Sequence, residues 1–171
     1  SADSGDYTGA IEDYDKAIKL RPRDPIPYAS RGTVYFNKGD YTHAIADYSE
    51  AIKLDRSFVA ALNNRCMAYA VVGTDYAQAR QDCDAAQKND PDNPFVYLNR
   101  GLIDLKEGQY AKAIASHNEA IALDPQRARA FYGRGIAKVK LGNTAGGEAD
   151  IKAAKGMLPN VAEEFARYGV K

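Results

Sequence analysis

At 171 residues, with Lys plus Arg and Asp plus Glu balanced at 23 each, the chain is long enough for one or two domains and carries no net field favouring nucleic acid or a membrane surface. No apolar run approaches the roughly 18 residues that a spanning helix needs, so no membrane insertion is expected. Neither cysteine has metal-ligand spacing to a histidine, and no Gly-rich phosphate loop follows a strand, so no metal or cofactor is expected.

Residues 1–4 read as a loose end. From Gly5 to Leu20 the residues Ala10, Ile11, Tyr14, Ala17 and Ile18 recur at helical spacing. Residues 5–24 therefore read as half a unit, a second helix lacking its first. One side of its stripe packs on the next helix, and the other has no cover in the sequence. Two readings stay open for that face: a first helix removed upstream, or association with another chain. No signal sequence is visible, but the chain starts inside a unit, which leaves the compartment open between cytoplasmic and exported.

Pro25 to Phe58 reads as two short helices and a turn. Tyr28, Val34, Tyr35 and Phe36 belong to the first, and Tyr41, Ala44, Ile45, Tyr48, Ala51 and Ile52 to the second. Pro25 suits a first helical turn, Gly39 a left-handed helix end and Asp40 an N-cap. The unit then recurs. Asp6-Tyr7, Asp40-Tyr41, Asp75-Tyr76, Gln109-Tyr110 and Asn143-Thr144 are separated by 34, 35, 34 and 34 residues. This period predicts a stacked array with units 25–58, 59–93, 94–127 and 128–161, and a capping helix in 162–171.

The units differ inside. Cys66 stands where other units have Gly32, Gly101 and Gly135, and Cys83 where they have Tyr14, Tyr48, His117 and Ile151. Two small buried thiols are the favoured reading, with a disulfide open in an oxidising compartment. Asp104 and Lys138 replace Tyr35 and Tyr69, and read either as a pair across neighbouring units or as two separate solvated charges. Gly146 and Gly147 weaken the last second helix, at about 1 kcal/mol each. The helix at Ala162–Tyr168 presents Phe165 and Tyr168 on one side, with Glu163, Glu164 and Arg167 elsewhere.

The register resembles the tetratricopeptide repeat (TPR) family over nearly the whole chain: Tyr28, Gly32, Tyr35, Tyr41, Ala44, Tyr48 and Ala51 match its pattern in order. The resemblance implies an all-α fold, a right-handed superhelical solenoid of antiparallel helix pairs whose first helices line a concave groove. Its groove positions carry over, in the first half, to Ile26, Ala29, Thr33, Phe36, Asn37, Asn63 and Met67. In the more apolar second half they carry over to Phe95, Leu98, Leu102, Lys106, Arg129, Tyr132, Ile136 and Lys140. Such a groove usually holds a peptide or partner helix; here its apolar anchors and basic Lys106, Arg129 and Lys140 predict a segment with apolar and acidic character. Phe95 and Tyr132 are the leading anchors, each worth roughly 2 kcal/mol or more. The clamp with which one TPR subfamily grips a chaperone carboxylate is mostly unmatched.

Arg31, Arg65, Arg100 and Arg134 share one register, and Asp13, Asp47, Asp82, Ser116 and Asp150 another. Buried arginines need partners, and bidentate aspartates supply them. Pairing within a unit or with the preceding one stays open, and Ser116 breaks the series. The ladder reads as structural, with an anion-binding strip as the alternative. No catalytic constellation emerges from His43 and His117, and His117 takes an aromatic core position. The expected function is a non-catalytic scaffold for another protein, without nucleic acid. The alternative is a self-assembling module, a homo-oligomer formed through the open N-terminal helix face.

Overall fold

A computed structural model describes residues 4–170. Residues 1–3 of the expected loose end, and Lys171, lie outside the described residues, while Ser4 already belongs to the first helix. The described chain is a succession of helices: α1 (Ser4–Leu20), α2 (Pro25–Lys38), α3 (Tyr41–Leu54), α4 (Val59–Val72) and α5 (Tyr76–Asn89), followed by α6 (Pro94–Lys106), α7 (Tyr110–Leu123), α8 (Ala128–Lys140), α9 (Thr144–Met157) and α10 (Val161–Arg167). No strand occurs among the described residues.

The helix ends are written locally. Asp24, Asp40, Asp75, Asn93 and Asn143 each accept an amide hydrogen from the first turn of the helix that follows. Gly39, Gly73, Gly108 and Gly142 turn the chain between paired helices at φ of 71 to 86°, a region that costs a Cβ-bearing residue dearly. Such short turns bring α2/α3, α4/α5, α6/α7 and α8/α9 back on themselves as antiparallel hairpins.

Stacking makes two layers. Consecutive first helices α2, α4, α6 and α8 touch one another, and α10 joins at the end. The second helices touch only their own partner and the first helix that follows, never each other. The inner layer is therefore continuous and the outer one splayed, which is the stacked array expected from the period and the all-α solenoid that the resemblance implies. Ala44, Ala79 and Ala113, then Ala51, Ala86, Ala120 and Ala154, are fully buried because the helices approach too closely there for larger side chains. On α1, Ala10 and Ala17 are only half-buried, since α2 alone covers that helix.

Two expectations are corrected. Cys66 and Cys83 are joined as a disulfide between α4 and α5, with Cα atoms 5.6 Å apart, not two free thiols. The bond spans the gap that Tyr48 fills above Gly32, where a Cβ on the glycine would lie 2.8 Å from Tyr48 Cε1. Asp104 and Lys138 do not meet: Arg80 bonds Asp104 at 2.7 Å, and Lys138 turns to Asp150 at 2.8 Å. Each has a nearer opposite charge from a second helix. The helix α9 runs from Thr144 to Met157 with both glycines inside it. Gly147 has a packing reason, because a Cβ there would lie 2.6 Å from Gly135 O on α8.

Candidate protein-binding groove

The inner layer encloses a cavity of about 270 Å³ on its concave side. Phe36 and Asn37 from α2 and Asn63, Asn64 and Met67 from α4 form one wall. Opposite them stand Phe95, Leu98 and Leu102 of α6 and Arg129 of α8, with Glu164, Phe165 and Tyr168 closing the end. Leu98 and Leu102 form a buried apolar floor. Phe95 stays 43% exposed at the rim, its ring covered on one face by the Arg127 guanidinium 4.4 Å from the centroid. Asn99 donates to both the backbone and side-chain oxygens of Asn63, at 3.0 and 2.9 Å. That bond fixes two buried amides between α4 and α6.

The basic end of the groove is arranged differently from the sequence expectation. Lys106 is half-buried and donates to Ala70 O and Val71 O, at 2.9 and 2.6 Å, completing the last turn of α4. Burial holds its ammonium below the usual lysine range. Arg129 Nε lies 3.0 Å from each carboxylate oxygen of Glu164, and Nη2 lies 2.7 Å from one of them. Burial works against ionising Glu164, but the bonds from Arg129 and Tyr168 outweigh it and hold its carboxyl below the usual range. The Glu164 bond in turn raises Arg129 above its ordinary value. Tyr132 packs edge-on against Phe165, with centroids 4.9 Å apart, and Ile136 packs in the same cluster. Lys140 is exposed at the end of α8 and does not line the cavity.

Around the cavity the fold thus assembles Asn63, Met67, Phe95, Leu98, Leu102 and Arg129. Tyr132 and Ile136 lie beneath α10. The sequence expectation sets Glu164 away from the covered face, but only 6% of it is exposed. The signal is present: Val161, Glu164, Phe165 and Tyr168 follow the i, i+3, i+4, i+7 stripe, with a carboxylate inside it.

The arginine series runs along the other side of the first helices. Arg31, Arg65 and Arg134 each grip the aspartate of their own hairpin with Nε and Nη2, pairing with Asp47, Asp82 and Asp150 at 2.7–2.8 Å. Their Nη1 atoms reach back to the preceding second helix, at Asp15, Ser49 and Asn118. Asp13 is not in the series. It lies two residues, about 200° of helix, from Asp15, and bonds Lys16 at the surface. The Asp47 bonds raise Arg31 well above the ordinary arginine value despite its burial. Arg100 faces Ser116, not an aspartate, at the rung position on α7, and bonds the exposed Asp84 of the preceding hairpin. Ser116 instead donates to Asp104 at 3.3 Å.

A family model described as TPR repeat matches residues 2–39, 32–73 and 101–142. The chain belongs to the tetratricopeptide repeat family. The small glutamine-rich tetratricopeptide repeat-containing protein 2 of Mycosarcoma maydis is 31% identical over 152 residues, 88% of this chain. The chain spans 33% of that relative's length. TTC0263, a thermophilic TPR protein of Thermus thermophilus, superposes with a TM-score of 0.78 at 20% identity, covering 96% of this chain and 90% of that one. The Arabidopsis OM64 TPR domain does so with a TM-score of 0.63 at 27% identity, over 67% of this chain and 94% of that one. TPR proteins generally mediate protein–protein interactions. Among the described residues of this TPR chain no group of His, Cys, Asp or Glu could hold a metal ion. No described helix is long and apolar enough to cross a membrane.

Proposed function

We propose that this TPR chain is a non-catalytic scaffold that holds a segment of a partner protein in its concave groove. The observation carrying this is the cavity of about 270 Å³, with an apolar floor of Leu98 and Leu102, Met67 in its wall and amides beside them. Such a surface accepts apolar anchors while satisfying the backbone of a bound segment. Phe95 and Asn37 sit exposed at the rim, where a partner meets them first. The segment carries apolar side chains for the floor.

Peptides selected from a displayed random library against the full chain test this. They are expected to lose at least about tenfold in affinity for a Phe95→Ala/Asn37→Glu variant, and to keep it for Leu20→Ala, an exposed residue that does not line the cavity. Equal affinity for the groove variant would remove this reading.

A second reading, self-association, rests on α1. Tyr14 and Ala17 stay half-buried where the equivalent Tyr48 and Ala51 are sealed at 1% and 0% exposure, and Ile11 and Ile18 lie on the same stripe. Sedimentation at rising concentration is expected to show dimers that Ile11→Glu dissolves.

A further inference from the structure

The end of the groove is already occupied by the chain itself. A helix that only capped the last hairpin would need contacts with α8 and α9. Val161 and Phe165 supply these in one cluster with Leu105, Ala137 and Ala154. The segment continues beyond them. Gly169 turns the backbone at φ 79°, and Tyr168 and Val170 pack on the cluster of Leu102 and Met67, near the middle of the groove. Tyr168 also donates to Glu164 at 2.6 Å and lines the cavity. Glu164 takes the Arg129 fork, and Phe165 takes the Tyr132 edge. A carboxylate, the ring beside it and a second ring one turn later thus meet complementary groups on the groove wall. These are the apolar and acidic features that the bare groove sequence calls for in a partner.

We propose that the α8 end of the groove is a recognition site for a partner helix with a carboxylate–aromatic–x–x–aromatic pattern, held in cis by Glu164, Phe165 and Tyr168 until such a helix from another protein displaces them. The proposal rests on the scaffold reading and names a second, charged subsite within it. Charge complementarity chooses this occupant: Arg129 is the cation on the cavity wall, its side chain 42% exposed, and a partner carboxylate takes up the bidentate fork that Glu164 leaves.

A fluorescein-labelled peptide of residues 160–170, titrated into the full chain by fluorescence anisotropy, is the test. In Glu164→Arg the chain's own helix is repelled from Arg129, so this variant is expected to bind the peptide at least about tenfold tighter than wild type. Peptides carrying Glu164→Gln or Phe165→Ala are expected to lose that gain. Arg129→Glu is expected to refuse the wild-type peptide and accept one carrying Glu164→Arg. Far-UV circular dichroism checks that each variant keeps its helices, and Glu164→Gln in the chain gives the same ordering at smaller size if the reversal unfolds it. Failure of both the gain and the charge exchange would overturn the proposal. The Phe95→Ala/Asn37→Glu chain separates the two readings, because it is expected to lose library peptides while retaining the response to the 160–170 peptide in the Glu164→Arg background.

Discussion

Hairpins α2/α3 and α6/α7 solve one geometric problem with different chemistry. In the first, Tyr48 fills the space over Gly32, and its hydroxyl reaches Thr33 Oγ1 at 3.2 Å. Arg31 is gripped by Asp47 and touched by Asp15. In the second, His117 fills the space over Gly101 and against Gly133, is 1% exposed, and neither ring nitrogen has a hydrogen-bond partner. Arg100 lacks its aspartate, and Asp104 draws its cation, Arg80, from the preceding hairpin. The solenoid thus requires volume at the aromatic position and shape at the glycines facing it. It tolerates losing the hydrogen bond and moving the charge pair elsewhere.

The largest test of that contrast removes one partner from each arginine. Asp47→Ala leaves Arg31 mostly buried with only Asp15, and is expected to destabilise by about 3 kcal/mol in urea unfolding. Asp84→Ala, which takes the partner from Arg100, is expected to cost about 1 kcal/mol or less, because Asp84 is 68% exposed. Similar losses at both sites would mean that the series contributes evenly, and that the missing aspartate is compensated nearby.

His117 gives the next effect. Burial, with Arg134 nearby, lowers its pKa to about 3. In the unfolded chain the imidazole takes its proton near the ordinary value of about 6.5. Between those two values the unfolded chain binds the extra proton, so stability is lost as pH falls. The loss attributable to this residue is expected to reach about 2 kcal/mol at pH 5 relative to pH 7. His117→Phe removes the titrating group while keeping a ring over Gly101, so its unfolding midpoint is expected to stay flat across the same window. A variant as acid-sensitive as wild type would place the lability elsewhere.

How much of this is legible beforehand follows from where the information lies. Period, small-residue register, turn glycines and caps are local or strictly repeated, so the hairpins and their order can be read from the chain. The within-hairpin partners of Arg31, Arg65 and Arg134 are legible as one of two alternatives. Asp15 is not, because helical phase decides between residues two apart and the aligned register favours Asp13. Arg80 is not linked to Asp104 by the repeat because that pair breaks the period. The disulfide needs the Cα separation that only the folded α4/α5 pair supplies. At the groove, the residue types are legible, but the cover over Tyr132 and Ile136 is not. It depends on how α10 lies after Pro159, and a carboxylate on a short terminal helix reads as solvated until its arginine partner is in view.

The smallest effect probes why Ser116 stands in the arginine series. Restoring aspartate there completes the rung for Arg100 on paper, yet Asp104 already lies against the Ser116 hydroxyl at 3.3 Å. Ser116→Asp therefore brings two carboxylates together in a half-buried notch, and is expected to cost about 1 kcal/mol despite the new partner for Arg100. In an Asp104→Asn background the repulsion is gone, and the same substitution is expected to be neutral or slightly stabilising. A double-mutant cycle by urea unfolding should then show a coupling of about 1 kcal/mol. Strict additivity would mean that Asp104 and the rung position do not sense each other. The irregular hairpin would then reflect two separate losses, not one charge pair moved from the rung to the Arg80–Asp104 bond.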